Sequence, residues 1–166
     1  AKIGDRPGAP PRMWEIDSVL ADNLLRQGRV DNTCELLVRV IAESRADRAR
    51  VPPWVSRSFQ QAAEAYAAAG DSLQAAACLE AALVNLPGQR PSRPADASER
   101  ITLLVQQALL ALSQGDMHSA AVFRAAARQA FEALTPGRAP AAAGDLAELD
   151  RAFTEAWLQN ASGLPH

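Results

Sequence analysis

The chain has 166 residues, of which 48% are hydrophobic and 22% charged, and its formal net charge is −2. This length suffices for one domain or a short repeat array with a buried core. The near-neutral charge argues against nucleic-acid or anionic-membrane binding. Because the hydrophobic share is mostly Ala and Leu, with few β-branched residues, an all-helical fold is favoured. No run of about 18 apolar residues occurs, so no membrane span is predicted.

The first predicted unit is a pair of helices over about residues 13–44. Residues 1–12, which contain several turn-forming residues, are expected to be a flexible lead-in. Helix one is predicted from Met13 to Gln27, with Gly28 closing it, and Asp31 is predicted to cap helix two. The expected buried stripe of helix one consists of Ile16, Val19, Leu20 and Leu24.

The clearest helical pair is the second, predicted over about residues 53–87. Gly70 is expected to end its first helix in a left-handed conformation. Asp71 and Gln74 then form a capping-box pattern for the next helix. Small residues at Ala75 and Ala82 would let the two helices approach closely. The apolar face of the second helix is predicted to contain Leu73, Ala76, Leu79, Leu83 and Leu86.

The spacing of residues in this second pair resembles the tetratricopeptide repeat (TPR) family, whose pattern alternates large and small residues around a Gly-Asp turn. The matching positions are held by Phe59, Ala62-Ala63, Tyr66, Gly70-Asp71, Ala75, Leu79, Ala82 and Pro87. Ala62 and Ala63 stand where the family usually has Leu and Gly. The resemblance implies an α-solenoid of stacked helix-turn-helix hairpins that binds a protein or peptide.

A third hairpin is predicted over about residues 96–135. Asp96 and Glu99 form the capping-box pattern that opens it, and Gly115-Asp116 provides its turn. Arg124 stands where the second hairpin has a leucine, which leaves the packing open at that position.

A final helix is predicted over about residues 145–160, followed by a tail at 162–166. Asp145 is expected to cap it, with Glu148 as the box partner. We expect this helix to cover the last hairpin, as the terminal elements of repeat arrays do. Its predicted buried side contains Leu146, Leu149, Phe153 and Trp157.

The three turn glycines are separated by 42 and then 45 residues, whereas the usual TPR period is about 34. The extra residues fall in two loops between hairpins that are rich in Arg and Pro. Such insertions are tolerated because loop-closure entropy grows slowly with length. We therefore expect residues 13–161 to form one helical-repeat domain.

Two partner-binding surfaces follow from a stack of hairpins. One is the edge that carries the loops between hairpins, where arginines would meet an acidic partner and Trp54 would anchor it. The other is the concave groove lined by the first helix of each hairpin. Solvated surface is the competing interpretation of both. The predicted loop-edge residues are Arg45, Arg48, Arg50, Trp54, Arg90, Arg93 and Arg138. The predicted groove residues are Glu15, Asp22, Arg26, Arg57, Gln60, Gln61, Glu64 and Gln106.

Reactive residues give little indication of catalysis. His118 and His166 have no Cys or His at ligand spacing, so no metal or cofactor site and no catalytic residue is predicted. Cys34 and Cys78 are interpreted as small buried thiols in preference to a disulfide or a redox pair. The cellular compartment stays open.

We expect a non-catalytic interaction scaffold that binds a protein or peptide. The alternatives are a regulatory or assembly domain of a larger protein and, less favoured, a small helical enzyme. Self-association through an open end of the array is a further option.

Overall fold

The structure, a computed structural model, describes residues 13–86, 94–134 and 140–163. Within these ranges the chain is all-helical and contains no strand, which confirms the expected all-α class. None of the helices in these ranges combines the length and the apolar character that crossing a bilayer requires. The seven helices are α1 (Met13–Arg26), α2 (Val30–Ala46), α3 (Pro53–Ala68), α4 (Ser72–Val84), α5 (Pro94–Ser113), α6 (Met117–Glu132) and α7 (Pro140–Ser162).

The helices pack in chain order. The pairs α1–α2, α3–α4 and α5–α6 are hairpins, and the second helix of each pair also contacts the element that follows: α2 packs on α3, α4 on α5, and α6 on α7. In addition, α3 contacts α1, and α7 contacts α5. One hydrophobic cluster joins the first two hairpins and reaches Leu103 of α5, and a second joins α5, α6 and α7.

The turn within each hairpin has the same backbone structure. Gly28, Gly70 and Gly115 have φ values of 72°, 82° and 75°. In each turn the glycine N–H donates to the carbonyl three residues earlier, and the next N–H donates to the carbonyl five residues before it. This is the Schellman motif, and its left-handed residue favours glycine because other side chains are strained there.

Helix α2 ends in the same motif, but with an arginine in the left-handed position. Arg48 has a φ of 53° and donates its N–H to the Arg45 carbonyl, while Ala49 donates to the Ser44 carbonyl. A left-handed conformation costs a non-glycine residue about 1–2 kcal/mol. Arg48→Gly is therefore expected to raise the free energy of unfolding by about 1 kcal/mol, measured by urea denaturation.

Arg45→Gly is the matched control for this prediction. It places the same substitution inside the last turn of α2, where glycine destabilises a helix by about 1 kcal/mol. If Arg48→Gly lowered stability as much as Arg45→Gly does, the left-handed end of α2 would be contradicted.

The predicted cap at Asp71 is confirmed, and Asp116, predicted as part of a turn, forms the same kind of cap. The Asp71 carboxylate accepts a hydrogen bond from the Gln74 backbone N–H at 3.2 Å, and Asp116 accepts one from the Ser119 N–H at 3.0 Å. Each satisfies an N–H that the first turn of a helix leaves unpaired.

Three other helix starts differ from prediction. Helix α2 begins at Val30, so Asp31 lies in its first turn and accepts a hydrogen bond from the Tyr66 hydroxyl instead of capping. Helices α5 and α7 begin at prolines, before the expected Asp96 and Asp145. Proline suits the first helical position because its fixed φ is helical and it needs no N–H partner there. Asp145 lies within α7, where it accepts a hydrogen bond from Thr102 at 3.2 Å.

Small residues bring α3 and α4 together, as the sequence predicted. Ala75 and Ala82 are both buried, and the Ser56 hydroxyl donates to the Ala82 carbonyl at 2.8 Å. Leu73, however, is exposed. It lies two residues before Ala75, which is about 200° around the helix, so it points away from the buried face of α4.

Helix α1 is rotated relative to the prediction. Ile16, Val19 and Leu20 are 55%, 60% and 42% exposed, whereas Asp17, Ala21 and Leu24 are buried. The Asp17 carboxylate accepts a hydrogen bond from Arg39 of α2 at 3.2 Å. Of the predicted stripe Leu24 is buried as expected, but the prediction was wrong for Ile16, Val19 and Leu20, because α1 has apolar residues on two sides and its helical neighbours, α2 and α3, cover only one of them.

Arg124, whose packing the sequence left open, joins α6 to α7. Its guanidinium lies 4.7 Å from the centre of the Phe153 ring and donates to Asp150 at 2.7 Å. Arg128 also pairs with Asp150, at 2.6 Å. Burial raises the pKa of Asp150, but the hydrogen bonds from the two arginines outweigh that effect and lower it overall. A partly buried charge network therefore replaces a leucine contact here.

The second half of α7 extends beyond its neighbours. Leu146 and Leu149 are buried as predicted and Phe153 is half-buried, but Trp157 is 58% exposed. From residue 154 to 163 nearly every residue is exposed. Trp157 has the helical spacing of the buried residues, but α7 continues past the last residue that packs on the array. The prediction that Trp157 is buried was therefore wrong.

Candidate functional site

Two exposed apolar residues of α1, Ile16 and Leu20, occupy positions that are buried in the later hairpins. Ile16 lies 12 residues before the turn glycine of its hairpin, and Leu20 lies 8 residues before it. The residues at the same two distances before the turn glycines of the later hairpins belong to α3 and α5. All four of those residues are buried, although Ile16 and Leu20 are exposed. The corresponding residues are Ser58 and Ala62 in α3, and Leu103 and Gln107 in α5.

Burial at these positions in α3 and α5 is associated with the preceding hairpin. Leu103 belongs to the hydrophobic cluster formed by the first two hairpins, and α4 packs on α5 as α2 packs on α3. Helix α1 has no preceding hairpin among the described residues. The side of α1 that carries Ile16, Val19 and Leu20, called the α1 face below, therefore presents apolar residues to solvent, two of them at positions that are buried in α3 and α5.

A cleft of about 380 Å³ adjoins the α1 face. It lies between α1 and the segment that leads into α3, and Glu15 lines both this cleft and the α1 face. Trp54 is half-buried in the cleft wall, and Arg50 is exposed beside it. The structure thus brings together Glu15, predicted for the groove, with two residues predicted for the loop edge. The cleft is lined by Glu15, Ser18, Arg50, Val51, Pro52, Pro53 and Trp54.

A second cleft, of about 490 Å³, lies between α1 and α2. Its apolar wall is formed by Leu20, Leu24 and Leu36. Because Leu20 also lines the α1 face, the two surfaces are continuous. Its polar rim consists of Arg29, Asn32, Glu35 and Arg39.

Three of the predicted groove residues form a hydrogen-bonded network between α3 and α5. The Gln60 side-chain amide donates to Gln106 at 3.2 Å, and Gln106 donates to Glu64 at 3.4 Å. These groups satisfy one another, so a ligand at this place would have to displace existing hydrogen bonds. The remaining groove candidates are exposed and take no part in this network, namely Asp22, Arg26, Arg57 and Gln61.

The loop-edge prediction is tested only in part by the placement of residues. Arg45, Arg48 and Arg50 are exposed near the end of α2 and in the loop that follows it. Arg90 and Arg93 lie outside the described residues, as does Arg138. The shared basic edge stays a prediction.

The structure also brings the two cysteines together, which fits the less favoured interpretation of them as a pair. The Sγ atoms of Cys34 in α2 and Cys78 in α4 lie 3.7 Å apart, within hydrogen-bonding distance for sulfur. The thiol of Cys78 is buried, and that of Cys34 is half-buried. Nearby, Tyr66 of α3 donates its hydroxyl hydrogen to Asp31. We call Cys34 and Cys78 the thiol pair.

Electrostatics make the two members of the thiol pair unequal. The pKa of Cys34 is lowered to about 7, chiefly by the hydrogen bond with Cys78 and against the opposing effect of burial. The same sulfur–sulfur hydrogen bond raises the pKa of Cys78, and burial adds to that increase. Burial and its hydrogen bond to Asp31 raise the pKa of Tyr66.

Comparisons of the chain with protein-family models, with curated proteins and with solved structures gave no match. Within the described residues, no group of three or more His, Cys, Asp or Glu side chains is placed to hold a metal ion.

Proposed function

We propose that this chain is a non-catalytic protein-interaction scaffold built from TPR-like hairpins, and that the α1 face is its principal binding surface. The observation that carries the proposal is the exposure of Ile16 and Leu20 at positions whose counterparts in α3 and α5 are buried. Contiguous exposed apolar side chains on a folded domain commonly mark a site of protein association.

A TPR-like array is supported by the repeated turn and by the order of helix contacts. The three hairpins share one turn geometry, and each of α3, α5 and α7 receives the second helix of the hairpin before it. Spacings of 42 and 45 residues exceed the usual period of about 34. The array is therefore a variant with long loops between hairpins.

The partner that fits the α1 face is an amphipathic helix. The positions in α3 and α5 that correspond to Ile16 and Leu20 are buried, and a helix packs on each of these elements, α2 on α3 and α4 on α5. A partner helix would bury apolar side chains against Ile16, Val19 and Leu20, with a gain of about 1 kcal/mol for each half-exposed residue. Where the helix reaches the cleft beside α1, Trp54 would pack against it and Arg50 would meet an acidic side chain.

Leu20→Asp is expected to weaken partner binding at least tenfold, because it removes buried apolar area and places a charge in the contact. A photo-crosslinking amino acid at Val19 first identifies the partner segment in cells. A synthetic peptide of that segment is then titrated against the parent chain and the variant by fluorescence anisotropy. The expected partner segment is a helix with one apolar side.

Val38→Asp is the control, because Val38 lies in the same hairpin, is also exposed, at 60% against 42% for Leu20, and is not part of the α1 face. It should leave the affinity unchanged. Equal affinity of the Leu20→Asp variant and the parent would contradict the proposal. If the crosslinker at Val19 captured only a second copy of the chain, the α1 face would mediate self-association instead of binding another protein.

A further inference from the structure

The thiol pair has a geometry that the scaffold function does not require. Cys34 and Cys78 belong to different hairpins, and their sulfur atoms are already in contact at 3.7 Å. A disulfide bond is about 2.05 Å long, so a shift of less than 2 Å in sulfur position separates the dithiol from the disulfide. Within the described residues these are the only two cysteines, and both are reduced.

We propose that Cys34 and Cys78 form a redox-active dithiol that low-molecular-weight disulfides, such as oxidised glutathione, convert into a disulfide linking α2 to α4. Cys34 is the thiol that attacks, because it is half-buried and a small disulfide can reach it. Cys78 is the resolving thiol, because it is buried directly against Cys34.

The reaction consists of two thiol–disulfide exchanges. The Cys34 thiolate attacks one sulfur of the small disulfide, which forms a mixed disulfide and releases one small thiolate. The Cys78 thiol then loses its proton to solvent, and its sulfur attacks Cys34 Sγ. The bond between Cys34 and the small molecule breaks, and a second small thiolate leaves. In total the protein loses two electrons and two protons, and one small disulfide becomes two small thiols.

The surroundings of the thiol pair fit this division of roles. The charged and titratable groups that act on Cys34 come from three helices: Asp31 from α2, Tyr66 from α3 and Cys78 from α4. The S–H of Cys78 favours the Cys34 thiolate, and the carboxylate of Asp31 opposes it. With a pKa of about 7, Cys34 is substantially ionised at neutral pH, whereas Cys78 is protonated because its pKa is raised.

The test exposes the reduced, folded protein to excess oxidised glutathione at neutral pH and follows its intact mass and its free thiols. The parent chain should lose two hydrogens, and both thiols should become resistant to maleimide. Cys78→Ala, which keeps the attacking thiol, should stop as a mixed disulfide with one glutathionyl group. Cys34→Ala should react at least tenfold more slowly than the parent.

Several outcomes would overturn the proposal. A parent chain that stays reduced, that accumulates glutathione adducts, or that forms only disulfide-linked dimers does not contain this dithiol. Circular dichroism of each variant establishes that it is folded, and Cys34→Ser and Cys78→Ser serve as replacements for an alanine variant that is not. An unfolded chain would form the same disulfide without selectivity, so the parent must oxidise faster when folded than in urea.

A pH profile separates the proposed chemistry from a purely structural role of the cysteines. The rate of Cys34 alkylation by iodoacetamide in the parent should rise with pH around a midpoint of about 7. Cys78→Ala removes the principal donor to Cys34 and should move the midpoint upward. Cys78→Ser restores a donor and should return the midpoint part of the way. Identical midpoints in all three proteins would contradict the assigned roles.

Discussion

Replacing Ala82 by aspartate is expected to lower the free energy of unfolding by about 4 kcal/mol, which is a large part of the stability of a typical domain. Ala82 is 0% exposed, and its carbonyl accepts the Ser56 hydroxyl at 2.8 Å across the interface of α3 and α4. A carboxylate at this position would be buried between two helices that approach closely. An uncompensated buried charge typically costs about 3–5 kcal/mol.

The control for this prediction is Ala77→Asp. Ala77 lies in the same helix but is exposed, so the substitution should cost less than about 1 kcal/mol, chiefly through helix propensity. Urea denaturation followed by circular dichroism measures both changes. If the two variants unfolded at the same urea concentration, the close packing of α3 on α4 would be contradicted.

The features of this fold that could be predicted are those that depend on neighbouring residues in sequence. Gly28 and Gly70 were identified as helix ends because a left-handed residue at that place favours glycine, and their φ values are positive. Asp71 was identified as a cap because its carboxylate can reach an N–H three residues away, and it does. Each of these predictions needed only one turn of chain.

The features that were predicted wrongly depend on which element covers a helix. The pattern of α1 places Ile16 and Leu20 on an apolar side of the helix. It does not show whether another hairpin covers that side, and among the described residues none precedes α1. Trp157 has the correct helical spacing for burial, but α7 continues past its neighbours. Amphipathic periodicity thus identifies a face that can be buried, and only the packing shows whether it is.

The candidate sites were predictable to different degrees for the same reason. Glu64 and Gln106 were assigned to one groove from helical spacing, and their side chains are hydrogen-bonded to each other. The thiol pair was the less favoured interpretation because spacing places Cys34 and Cys78 on apolar faces of different hairpins without indicating how close their sulfur atoms lie. A signal was available in the sequence, since the two cysteines lie at similar distances, six and eight residues, after the turn glycines of successive hairpins.

Oxidation of the thiol pair is expected to raise the free energy of unfolding by about 4 kcal/mol. Cys34 and Cys78 are 44 residues apart in sequence, and a cross-link that closes a loop of this length removes about that much conformational entropy from the unfolded chain. Native strain would reduce the gain, but the contact at 3.7 Å means that little backbone movement is needed. With a urea dependence of about 2 kcal/mol per M, the unfolding midpoint should rise by about 2 M.

The measurement compares the parent chain after oxidation with the same chain kept reduced by a phosphine. Cys34→Ser carried through both treatments controls for other effects of the reagents, and its midpoint should not change. An oxidised chain that is no more stable than the reduced one would show that the disulfide strains the folded chain around Cys34 and Cys78 by as much as it constrains the unfolded chain. The thiol pair could then be reactive, yet its disulfide would not stabilise the folded arrangement of the first two hairpins.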